Sequence, residues 1–64
     1  MSATRVFLVE DEVLISMEIA ARLRSLGYEV CGTAARGEQA VSRILATRPD
    51  IAVVDVRLRS EEHT

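Results

Sequence analysis

Apolar and polar positions change their period along the chain. Val6-Phe7-Leu8-Val9 is a short continuous apolar run, the mark of a strand covered on both faces. From Asp11 to Leu26 the period lengthens. Ile15, Ile19, Leu23 and Leu26 recur at spacings of four, four and three, which predicts a helix with these side chains on one face. Gly27 stands where a helix-ending glycine belongs. Tyr28-Glu29-Val30-Cys31-Gly32-Thr33 reads as a second, more polar strand. Gly37 opens another helical stretch with an apolar stripe of Ala40, Val41, Ile44 and Leu45. Arg48-Pro49 ends it, because a residue before proline is pushed out of the helical region. Ile51-Ala52-Val53-Val54 is a third strand, followed by Asp55.

The predicted order is βαβαβ, which implies an α/β fold with parallel strands and right-handed helical crossovers. Strands one and three are the most apolar and strand two the most polar. Buried central positions suit the first two, so strand two belongs at an edge and the expected order is 2-1-3. That order has a chemical consequence. Neighbouring strands lie about 4.8 Å apart, so Asp55 at the end of strand three falls beside Glu10 and Asp11 at the end of strand one. Order 1-2-3 would hold them roughly 10 Å apart at the backbone. The gap between strands one and three also becomes a topological switch point, where open α/β sheets bind ligands.

Carboxylates brought this close repel one another, and a divalent cation resolves the conflict. Mg²⁺ takes oxygen ligands octahedrally and keeps several waters, so two or three carboxylates and a carbonyl suit it. A carboxylate beside such an ion can attack phosphorus to give an acyl phosphate. Blander readings stand beside this one. Asp11 and Glu12 could cap the first helix and complement its dipole, and Asp55 could be an ordinary strand-end residue. Cys31 reads as a small hydrophobe. Arg22, Arg24, Arg43 and Arg48 read as solvated helix faces.

"FLVEDE" before a helix, "LGYEV.GTAA.GEQA" and "RPDIAVVDVRL" together resemble the receiver domain of two-component response regulators, over nearly all of residues 5–58. The resemblance implies the N-terminal βαβαβ half of a flavodoxin-like, doubly wound parallel sheet. It implies that Asp55 is the phosphoacceptor, loaded by a histidine kinase or a histidine phosphotransfer protein. Glu10 and Asp11 match the family's acidic pair, with Asp11 the more direct Mg²⁺ ligand beside Asp55, and the backbone carbonyl of Arg57 supplies a further one. Leu14, Ile15 and Glu18 on the first helix match the surface on which the kinase docks. Such a chain is a signalling module rather than an enzyme. Two enzyme-like readings fit less well. An aspartyl-phosphate phosphotransferase of the haloacid-dehalogenase type would place Asp-x-Asp after strand one, where Glu10-Asp11-Glu12 stands. A nucleotide-binding turn would need glycines there.

Composition narrows the setting. At 48% hydrophobic and 28% charged, with net charge −2, the chain is neither a disordered tail nor an electrostatic match for nucleic acid or a membrane. One cysteine forms no internal disulfide, and no apolar run approaches the roughly 18 residues of a membrane span. A cytoplasmic location is expected. With 64 residues, the chain is short of the roughly 120 of a complete receiver, an ordinary domain size. The family's fourth strand supplies a Ser or Thr that senses the phosphoryl group and its fifth a Lys that pairs with it. All eight basic residues here are arginine.

The last six residues, "RSEEHT", match one reading frame of a widely used sequencing adapter (AGA TCG GAA GAG CAC ACG). The expected organisation is a partial receiver domain over 1–58 and a non-native tail over 59–64. A genomic clone encoding that tail and then a stop codon would overturn it. Strand 51–56 would be an exposed apolar edge, so the isolated chain is expected to dimerise through it, aggregate or stay largely unfolded. The alternative to a working phosphoacceptor is an inert or oligomerising α/β fragment.

Overall fold

The structure is a computed structural model, and residues 3–55 are described. Three parallel strands and two helices alternate: β1 (Arg5–Glu10), α1 (Val13–Ser25), β2 (Glu29–Ala34), α2 (Gly37–Thr47) and β3 (Ile51–Asp55). The sheet order is β2-β1-β3, as the polarity of the strands predicts. The carbonyl of Arg57, the end of the 51–56 strand and the 59–64 tail lie outside the described residues.

The most apolar segment takes the centre. From Val6 to Glu10 every residue of β1 is buried, and Phe7, Leu8 and Val6 are the most completely enclosed side chains. Its odd positions, Phe7 and Val9, pack with Ala34 of β2 and Ala40 of α2, and Cys31 and Ile44 close over them. Even positions point to the other face, as strand geometry requires. The crossover through α1 runs from β1 to one side and that through α2 runs back past it. Two right-handed crossovers of opposite direction put the helices on opposite faces.

A bulge in β2 makes this packing possible. Val6 pairs with Val30 and Phe7 with Gly32, so Cys31 is the extra residue. The Phe7 ring then lies over Gly32 so closely that a Cβ there would stand 2.7 Å from Cε2. Cys31 itself is half-buried rather than fully enclosed.

Helix ends follow local chemistry in one case and tertiary contacts in the other. Gly27 adopts φ 98°, with its N–H donating to the Arg24 carbonyl and that of Tyr28 to the Leu23 carbonyl, both at 3.0 Å. This is the Schellman pattern that glycine favours. At the end of α2, Arg48 is left-handed, with φ 51°, rather than extended as a pre-proline residue usually is. Arg5 supplies the reason, because its Nη1 donates to the carbonyls of Thr47 at 2.7 Å and Arg48 at 3.0 Å.

Parts of the expected apolar stripes do not reach the core. Ile15, Ile19 and Leu23 are half-buried around Ala20, but Leu26 is exposed because the backbone has already left the helix there. Ala40 is buried and Ile44 half-buried, while Val41 and Leu45 lie too far round α2 and face outward. Strand β3 pairs only with β1 among the described residues, and Ile51 and Val54 are exposed.

Candidate functional site at the carboxyl edge of the sheet

Strand pairing assembles the site. In the β1–β3 ladder the register runs Val9 to Val54 and then Glu10 to Asp55. The two carboxylates thus end neighbouring strands at the same level, which order 1-2-3 would have prevented. Asp11 follows in the bend before α1 and is exposed, and Asp55 is half-buried. A cleft of about 860 Å³ opens here, lined by Glu10, Asp11 and Asp55 from the strand ends and by Arg36, Gly37 and Glu38 from the start of α2.

Glu10 is the unusual member. It is the one buried charged residue among those described, at 3% exposure. Its Oε2 accepts from the Glu12 N–H at 2.9 Å, but its buried Oε1 has no partner among the described residues. The Glu12 N–H pulls this carboxyl down. Burial, the neighbouring carboxyls of Asp55 and Asp11, and the charge of Asp55 together outweigh it, holding Glu10 above its ordinary value. A buried acceptor with no donor, next to two more carboxylates, is a donor set that fits a hard cation. The fit is one of chemistry rather than of finished geometry. Among the described residues no three such side chains converge tightly enough to ligate one ion.

Capping does not account for the acids. Glu12 is the N-cap of α1, yet its side chain makes no capping hydrogen bond. The Glu10 carboxylate instead takes the Glu12 amide from behind. On α1, Leu14 is 79% exposed, with Val13 and Met17 also outward. Glu18 shares the Leu14 side of the helix and is exposed, whereas Ile15 is half-buried. The first turn of α1 therefore presents an apolar surface directly beside Asp11.

Comparison with known proteins decides the family. The model of the response regulator receiver domain matches residues 6–62. The chain belongs to this family. This receiver segment is 43% identical over 54 residues to the transcriptional regulatory protein PdtaR of Mycobacterium tuberculosis, covering 84% of the chain and 26% of that protein. It is 33% identical to the chemotaxis protein CheY of Thermotoga maritima, over 84% of the chain and 45% of CheY. A protein-glutamate methylesterase/protein-glutamine glutaminase of Archaeoglobus fulgidus is 35% identical, over 84% of the chain and 16% of its own length. The chain thus spans less than half of each of these relatives. No helix among the described residues is long and apolar enough to cross a membrane.

Two residues of the receiver cleft escape a sequence reading that follows acids and apolar stripes. Arg36 and Glu38 flank the glycine that opens α2. Their position just past the carboxyl end of β2 is the available signal, since every strand of a parallel sheet delivers its following loop to the same edge.

Proposed function

We propose that this segment accepts a phosphoryl group on Asp55, delivered by a histidine kinase or a histidine phosphotransfer protein. An Asp55 oxygen forms a bond to phosphorus, the bond from phosphorus to the donor nitrogen breaks, and the donor imidazole keeps the electron pair. The observation that supports this reading best is the register pairing of Asp55 with Glu10, whose buried Oε1 lacks a partner among the described residues. Glu10, Asp11 and Asp55, with the carbonyl of Arg57, are the residues that would hold Mg²⁺. When bound there, the ion would supply positive charge to offset that on the phosphoryl oxygens. Asp55 is the acceptor in a cytoplasmic relay rather than the catalyst of a turnover reaction. Leu14, Ile15 and Glu18 offer the donor its docking surface. Segment 1–58 carries this role, and 59–64 carries none.

Incubation with Mg²⁺ and acetyl phosphate should give an acid-stable, base-labile adduct that Asp55→Asn abolishes. Label persisting in that variant overturns the acceptor assignment. A second reading is supported by β3, which pairs only with β1 among the described residues and exposes Ile51 and Val54: the isolated chain self-associates through strand 51–56 and takes no label. Sedimentation showing a folded monomer at micromolar concentration counts against it.

A further inference from the structure

We propose that Arg36 is the cationic contact for the phosphoryl group on Asp55, an inference that rests on the phosphoacceptor reading above. Four carboxylates line the cleft, namely Glu10, Asp11, Asp55 and Glu38, and Arg36 is the one cation lining it among the described residues.

Local structure gives Arg36 no other role. It is the N-cap of α2, with extended backbone and no capping hydrogen bond from its side chain. Ser, Thr, Asn or Asp would satisfy an amide of the first turn, and arginine cannot. Its charge also sits at the positive end of the helix dipole, the unfavourable end for a cation. A residue that breaks two local rules beside a cleft marks a functional position. Among the described arginines, Arg5 and Arg43 use their guanidinium groups within the fold, Nη1 of Arg5 donating to the Thr47 carbonyl and Nη1 of Arg43 to the Thr33 carbonyl, both at 2.7 Å. Arg22, Arg24 and Arg48 do not, and none of these three lines the cleft. The Arg36 carbonyl accepts from the Ala40 N–H at 2.9 Å, while its side chain makes no hydrogen bond or ion pair among the described residues. The buried Oε1 of Glu10, without a partner among the described residues, lies at the same cleft.

Phosphorylation gives this requirement a chemical form. When acetyl phosphate is the donor, the Asp55 oxygen bonds to phosphorus, the bond to the acetyl oxygen breaks, and acetate leaves with the electron pair. The product replaces the single charge of the Asp55 carboxylate with the two of an acyl phosphate, a net gain of one negative charge in a cleft already lined by acids. A guanidinium lining the same cleft as Asp55 offers parallel N–H donors matched to phosphoryl oxygens.

The test measures labelling rate with acetyl phosphate and Mg²⁺ affinity by calorimetry, in wild type, Asp55→Asn, Arg36→Ala and Arg36→Lys. Arg36→Ala should slow labelling about tenfold, the worth of one charge-assisted hydrogen bond, with Arg36→Lys recovering part of the rate. Mg²⁺ should bind Arg36→Ala as tightly as wild type or more tightly, because a nearby positive charge is gone. Labelling of Arg36→Ala at the wild-type rate, in a wild type whose label needs Asp55, overturns the Arg36 assignment alone. Slower labelling together with weaker Mg²⁺ binding also overturns it, since that pattern means Arg36 merely supports the carboxylates. A wild type that takes no label, or Asp55→Asn that keeps it, overturns the phosphoacceptor reading and this one with it.

Discussion

Strands β1 and β3 run side by side, and their two ends are finished in opposite ways. At the amino end, Arg5 and Asp50 satisfy each other. The Arg5 N–H donates to the Asp50 side chain at 2.8 Å, and the Asp50 N–H returns a bond to the Arg5 carbonyl at 2.9 Å. The Arg5 guanidinium then closes the end of α2. At the carboxyl end, Glu10 and Asp55 meet in the same ladder, and a buried oxygen has no donor among the described residues. One end has its polar groups paired and holds the fold. The other concentrates like charge where the ladder stops, and an unsatisfied buried group is costly enough to need a reason. The contrast assigns stability to one edge and chemistry to the other.

The strand shared by both ends should show the largest effect. Phe7→Ala removes a fully buried ring and should cost about 3–5 kcal/mol, comparable to the whole stability of a small domain. Urea denaturation should find it largely unfolded, with both edges lost together. Gly32→Ala pushes a methyl into the same ring and should cost roughly 1–3 kcal/mol. A wild-type midpoint for this variant would mean that the β2 bulge yields easily.

Smaller effects separate the two ends. Arg5→Ala strips two carbonyls of their donor and should lose about 1–2 kcal/mol, read as a lower urea midpoint. Its ion pair with Glu29, at 3.8 Å and largely exposed, adds little to that figure. Glu10→Gln should act in the opposite direction near neutral pH. Because the folded-state pKa of Glu10 is raised, its contribution to stability is fully present below the unfolded value. That contribution is lost as pH rises through the folded value. Wild type should therefore lose stability over that rise, and Glu10→Gln should flatten the profile. Identical pH profiles for the two proteins would show that the carboxyl edge carries no such conflict. Mg²⁺ should stabilise wild type more than Glu10→Gln, since a ligand of the folded state stabilises in proportion to its affinity.

Much of this was legible in the residues, and the misses share one cause. The polar second strand put β2 at the edge, and that alone placed Asp55 beside Glu10. Gly27 announced the end of α1. By contrast, the apolar spacing placed Leu26, Val41 and Leu45 on buried faces, and all three are exposed. Periodicity says which side chains share a helix face but not how wide a strip of that face the sheet covers. Arg48 and Pro49 signalled a helix end, but the left-handed form of Arg48 depends on Arg5, forty-three residues away. Glu10 rather than Asp11 is the enclosed member of the acidic pair, because it is the last residue of the central strand.

The order of elements, the strand that occupies the centre and the edge that gathers the acids were set by the sequence itself. These follow from hydrophobic period and polarity, which are local and need no coordinates. Tertiary structure alone decided that one buried oxygen of Glu10 has no donor among the described residues, that Phe7 demands glycine opposite, and that Arg36 lines the same cleft as the carboxylates. Each depends on register, crossover hand and desolvation between residues far apart in the chain, and these exist only once the strands have paired.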